Sequence, residues 1–186
     1  MADTGDLLRI RRGLYWRGVA TAFGFSPPPA LRIATELMGD AGIGPAEASA
    51  INQLGLGAAP EDGMERVAIP KRPPRPIPGL NTRWISRAGR EGRVRQHLNS
   101  EEVALLEAIE HPELIQVDVK TRRKIFLDLF RSGSVRPSHL IKAAGSEPAM
   151  VRAGLYNLCS AAGLQDEAAR IPKVRSKEVK AKALII

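Results

Sequence analysis

Apolar and charged positions alternate over Leu7-Leu8-Arg9-Ile10-Arg11-Arg12, break at Gly13, and resume over Leu14-Tyr15-Trp16-Arg17. Alternation at period two marks a half-buried strand, so this stretch predicts two strands joined by a tight turn at the glycine. Leu8, Ile10 and Arg12 then point to one side, and Arg9, Arg11 and Gly13 to the other. Pro27-Pro28-Pro29 closes this segment. Leu31, Ile33, Ala34, Leu37 and Met38 follow helical spacing and predict a helix from Pro29 to Met38. A second short helix is expected over Pro45–Leu54, closed by Gly55 and Gly57. Met64–Pro70 reads as a strand, and Asn81–Ser86 as a second strand that returns to pair with it. Pro73, Pro74, Pro76 and Pro78 make the segment between them an extended loop.

From Leu98 the spacing is helical throughout. Asn99 and Glu102 form a capping pair ahead of Val103-Ala104-Leu105-Leu106, and His111-Pro112 should end that helix. Further helices are expected from Arg122 to Arg131, ended by Gly133, then from Pro137, and then from Ser146-Glu147-Pro148 through Cys159. The residues after Pro172 are rich in lysine and weakly patterned, which predicts a mobile basic tail. The expected fold is α+β. A small mixed part at 1–96, with a basic hairpin, short helices and a strand pair, precedes an all-α part at 97–171 and a basic tail at 172–186.

Composition narrows the functional classes. Hydrophobic residues are 44% of the 186 and aromatics only 4%, so the core is built from aliphatic side chains and wholesale disorder is disfavoured. A single cysteine, Cys159, rules out an intrachain disulfide and a cysteine-rich zinc site, and its apolar surroundings predict an inert packed thiol. There is no secretory signal and no apolar run long enough to span a bilayer, so a cytoplasmic protein is expected.

The formal net charge is +8, and it is unevenly placed. Residues 63–97 carry a net +7, whereas 98–171 are near neutral at −1. With five basic residues and one acid in the tail from Pro172, the excess lies in the middle and at the end of the chain, which argues for two functional surfaces, the basic one suited to a polyanionic partner or an acidic protein face. The basic hairpin fits the wing of a winged helix-turn-helix, with arginines tracking phosphates; it equally fits an edge hairpin whose arginines blunt the edge. Candidate DNA contacts are Arg9, Arg11, Arg12 and Arg17 on the hairpin and Arg72 and Arg75 in the proline loop, followed by Arg83, Arg87, Arg90, Arg93 and Arg95. Trp84 sits within the last group. It offers a stacking surface for a base or, as the favoured reading, packs on Val67 or Ile69 across the strand pair.

Catalytic signals are weak. Asp118-Val119-Lys120, with Glu107 or Glu113 nearby, has the layout of a Mg²⁺-dependent nuclease if it lies on a strand; the simpler reading is a helix-entry aspartate beside an exposed lysine. His97, His111 and His139 lack metal-ligand spacing, and no nucleophile elbow or phosphate loop is present. Neither a metal nor a cofactor is expected.

The order of these segments resembles the AbiEi family of type IV antitoxins. The resemblance is carried by Arg11-Arg12-Gly13-Leu14-Tyr15-Trp16-Arg17, the proline-led helix to Met38, and Ala48-Ser49-Ala50-Ile51-Asn52-Gln53-Leu54-Gly55-Leu56. Arg66–Pro70, Trp84-Ile85-Ser86, Val103–Ala108 and Arg131–Pro137 continue it. It covers most of residues 7–163. The resemblance implies a winged-helix transcriptional repressor, without enzymatic activity of its own, that binds the promoter of its own operon as duplex DNA. It also implies a helical C-terminal part that counteracts a cognate nucleotidyltransferase-type toxin. It places Arg9, Arg11, Arg12 and Arg17 on the DNA side and Tyr15 nearer the core. Family members carry helices, including the recognition helix, ahead of the wing, whereas here six residues precede Leu7. The expectation is either a shortened member or a chain whose true start lies upstream, with base readout weak or lost in the present chain and phosphate contacts surviving. The alternative function is a protein-interaction module whose basic loop docks on an acidic partner without binding DNA.

Overall fold

The computed structural model describes residues 7–18, 20–22, 24–26, 28–77 and 79–183. The hairpin forms as two antiparallel strands, β1 (Leu8–Arg11) and β2 (Leu14–Trp16), and Gly13 turns between them at φ +80°, a conformation that favours glycine. Arg9 pairs with Tyr15 and Arg11 with Leu14, so Ile10 is an extra residue in β1. Ile10 is buried, while Arg9, Arg11 and Arg12 are exposed. A small ribbon follows, β3 (Ala20–Thr21) and β4 (Gly24–Phe25). Helix α1 (Ala30–Met38) starts one residue after Pro29 and buries Ala30, Ile33 and Ala34. It has no side-chain cap of its own. Instead, Glu65 accepts a hydrogen bond from the Ala30 amide at 3.2 Å, placing a carboxylate at the positive end of the helix.

The central sheet has the order β5-β6-β7, formed by β5 (Gly44–Pro45), β6 (Glu65–Ile69) and β7 (Thr82–Ser86). The pairing of β6 and β7 corrects the expected return strand, because the two run parallel, with Val67 opposite Trp84 and Ile69 opposite Ser86. A parallel pair needs a crossover of about a dozen residues, and the extended proline segment supplies that length without a helix. Alternate residues of β6 serve two cores. Val67 and Ile69 join Ala30, Ala34 and Ile43 on the α1 side, with Trp84 packed against them. Ala68 faces the other way, into the main core.

That main core joins the two expected parts. Helix α2 (Glu47–Gln53), shorter than predicted, contributes Ala50 and Ile51. These pack with Leu98 and with Val103, Leu105, Leu106 and Ile109 of α4 (Ser100–Glu110), the helix that follows the short α3 (Glu91–Arg95). The change of pattern near residue 97 is therefore a change of secondary structure within one continuous hydrophobic cluster, which runs from Ala46 to Ile171.

The capping box at Asn99 and Glu102 is present: the Glu102 amide donates to Asn99 Oδ1 at 2.8 Å and the Asn99 amide to Glu102 Oε2 at 2.9 Å. Arg136 donates to both oxygens of the same buried glutamate, through Nε at 2.8 Å and Nη2 at 2.7 Å. The chain continues through α5 (Val119–Ser132), which Gly133 ends in the left-handed conformation. Helices α6 (Pro137–Ala143), α7 (Ala149–Ala161) and α8 (Gln165–Ala168) follow. The tail departs from expectation. Ser176 caps α9 (Lys177–Lys182), which packs on α7 and buries Ala183, so residues 177–183 are folded onto the bundle.

Candidate nucleic-acid interface

Arg87, Arg90 and Arg93 recur at every third residue as the chain leaves β7, turns and enters α3. A turn followed by helix brings that spacing to one side, and this side faces inward. Arg87 donates to Glu107 through Nε at 2.9 Å and Nη2 at 2.6 Å. Arg90 forms a two-pronged pair with Glu110, both bonds at 2.7 Å, and reaches Glu147 at 3.4 Å. Arg93 is 1% exposed; it donates to Glu147 through Nε at 2.7 Å and Nη2 at 2.9 Å, and to Glu107 through Nη1 at 2.8 Å.

Three guanidiniums thus face three carboxylates in a charge-balanced network, of which Arg93, Glu107 and Glu147 are buried and Arg87, Arg90 and Glu110 half-buried. Burial works against every charge in it. For Glu107, burial pushes the carboxyl up, but the Arg87 hydrogen bonds and the charges of Arg93 and Arg87 outweigh it and hold the group down to about 2. Arg87 and Arg93 are likewise opposed by burial, yet held above the ordinary arginine value by Glu107 and Glu147.

This network corrects the expected role of three residues. Arg87, Arg90 and Arg93 direct their charge and most of their donors to carboxylates of the same chain, which argues against a role for them as phosphate contacts in this fold. An open depression of about 360 Å³ lies over them, lined in part by Arg87, Arg90 and Glu147, but its charges are already matched. The spacing held a signal for this pairing: arginines three apart, and glutamates three apart at 107 and 110 on one helix face. Glu147, beyond two intervening helices, carried none. The ligating atoms of Glu107, Glu110 and His111 also lie within 4.8 Å of one another, but arginine donors engage both carboxylates.

The other candidate arginines stay at the surface. Arg9, Arg11, Arg12 and Arg17 on the hairpin, Arg72 and Arg75 in the proline loop, Arg83 on β7 and Arg95 at the end of α3 are exposed. None of these eight forms an ion pair with a carboxylate among the described residues.

The hairpin is fixed to the body through Trp16. Its indole Nε1 donates to the Ser26 carbonyl at 2.9 Å, and the Arg32 guanidinium lies 5.9 Å from the ring centre. Tyr15 departs from the expectation that it lies nearer the core: it is 45% exposed and stands opposite Arg9. Trp84 packs in the α1-side core, as the favoured reading had it.

Asp118 and Lys120 lie at a helix start, and the strand that the nuclease layout needs is absent there. Asp118 caps α5, accepting hydrogen bonds from the Lys120 and Thr121 amides at 2.8 and 3.0 Å. His111 contacts Glu113 at 3.1 Å, and His139 the Gln96 carbonyl at 2.9 Å. Cys159 is buried, and burial, with Glu167 adding to it, pushes its thiol up to about 12.

No family model matches the chain, and no curated protein does. Among solved structures, the chain is similar to the RV2827C protein from Mycobacterium tuberculosis. The two are 18% identical, the match spans 91% of this chain and 67% of that one, and the TM-score is 0.46. No helix among the described residues is long and apolar enough to cross a membrane.

Proposed function

We propose that the chain is a nucleic-acid-binding regulator of the antitoxin kind, acting in the cytoplasm, whose basic hairpin holds duplex DNA by its phosphates. The observation that carries this reading is the division of the arginines. Three of the eleven candidates are paired in a largely buried network, while eight remain exposed and form no ion pair with a carboxylate among the described residues. Exposed guanidiniums release counterions when they meet a phosphate backbone, so they supply affinity without base selection. The hairpin group lies on a ribbon pinned at Trp16, which limits the ordering cost on binding. The helical part is left to the protein partner, a nucleotidyltransferase-type toxin, as the AbiEi resemblance implies.

The test is a salt titration of the full chain against duplex promoter DNA of its own operon. Binding should weaken steeply with salt, and Arg9→Ala, Arg11→Ala and Arg12→Ala should each lower the slope by about one. A flat salt response, or binding to an acidic protein with none to DNA, would replace this reading with that of a protein-docking module.

A further inference from the structure

The alternation of β2 and its pairing with β1 decide which side chains the hairpin shows to solvent. Trp16, held by Ser26 and Arg32, ties one face of the ribbon to the body. Ile10 is buried, and Leu14 and Trp16 are half-buried. Tyr15 alternates with Leu14 and Trp16 and so lies on the opposite face, directly across from Arg9. Its hydroxyl has no partner among the described residues, and nearly half of the side chain is open. Arg17 lies two residues on, and Arg12 lies at the turn; Arg11, opposite Leu14, belongs to the other face, and all three are exposed.

An open aromatic ring among unpaired guanidiniums is the arrangement that holds an unpaired base. The ring offers a stacking surface to any base, and the cations hold the adjoining phosphates. A base inside an intact duplex cannot reach such a ring, because both of its faces are covered by neighbouring bases.

We propose that the Arg9–Tyr15 face of the hairpin is a binding site for single-stranded nucleic acid, with Tyr15 stacking on one base. This rests on the phosphate-binding reading above and adds to it a preference for unpaired strand at the same hairpin.

The experiment measures binding of the full chain to a labelled oligothymidylate of about twelve nucleotides and to a duplex of equal length, by fluorescence anisotropy. Tyr15→Ala should weaken single-strand binding about tenfold, while duplex binding stays within about twofold. Tyr15→Phe, which keeps the ring, should bind the single strand as the native chain does. Arg9→Ala should weaken both. If Tyr15→Ala leaves single-strand binding unchanged, or weakens both forms equally, the stacking site is refuted while the phosphate reading stands. If the native chain binds neither form, both readings fall. Tyr15 is exposed, so the thermal unfolding of its variants should match the native chain, and a shift there would mark a role in hairpin packing and overturn the proposal.

Discussion

Arg93 and Glu147 meet through two parallel hydrogen bonds of 2.7 and 2.9 Å, across 54 positions of sequence, with both side chains shut off from solvent. The pair ties α3 to the entry of α7, and Glu107 on α4 completes the contact by accepting from the same guanidinium. Removing one member leaves a buried charge short of its partner, whereas replacing both with apolar groups removes the need for one.

The first prediction follows from that asymmetry. Glu147→Ala should destabilise the fold by about 3–5 kcal/mol in urea denaturation. The double variant Arg93→Met with Glu147→Leu should be more stable than Glu147→Ala alone. Additive losses would show that the two side chains do not act as a pair.

Acid should act on the same network. The Glu107 carboxyl is held at about 2 against an ordinary 4.5, so its stabilisation is complete above 4.5 and is lost as pH falls toward 2. That shift corresponds to a contribution on the order of 3 kcal/mol at neutral pH. Glu107→Gln should therefore be less stable than the native chain at pH 7, and the gap should narrow as pH drops through this window. Unfolding free energies measured along a pH series check it, and a gap independent of pH would contradict the assignment.

Gly92 lets α3 approach the turn after α6. A Cβ there would lie 2.5 Å from both the Ala143 carbonyl oxygen and Ser146 Oγ, and the Gly92 amide donates to that hydroxyl at 2.9 Å. Gly92→Ala should cost about 1–3 kcal/mol. Gly89→Ala, where nothing lies within 4 Å of the added carbon, should stay within about 0.5 kcal/mol. Thermal melts of the two variants make the comparison.

The division of the arginine row predicts two kinds of variant. Arg83→Ala and Arg95→Ala, at exposed positions, should leave the melting temperature unchanged. If their guanidiniums meet the phosphates, each should also reduce the salt slope of DNA binding by about one. Arg93→Ala should instead lower the melting temperature by several degrees, because it strips partners from two buried carboxylates.

Much of the secondary structure was legible because its causes are local. The turn at Gly13, the capping box of Asn99 and Glu102, the stop at His111-Pro112 and the left-handed end at Gly133 each depend on a few consecutive residues. Of the candidate surface, the sequence showed where the arginines are but not which of them face water. The lysines of the tail hide a weak pattern that by itself predicts mobility; Ser176, Val179 and Ala183 suffice to cap a short helix and seat it on α7.

Three matters were decided only when distant segments met. Whether β7 runs parallel or antiparallel to β6 depends on the path of the proline crossover, and both senses satisfy the same alternation. Which face Arg11 takes depends on the extra residue at Ile10, which sets Arg11 opposite Leu14, since a shift of one position exchanges the faces of a strand. The fate of Arg87, Arg90 and Arg93 depends on Glu107, Glu110 and Glu147 arriving from other helices. Chain order determines the sign and spacing of charges, but Coulomb attraction falls with separation in space, and separation is a property of the folded chain alone.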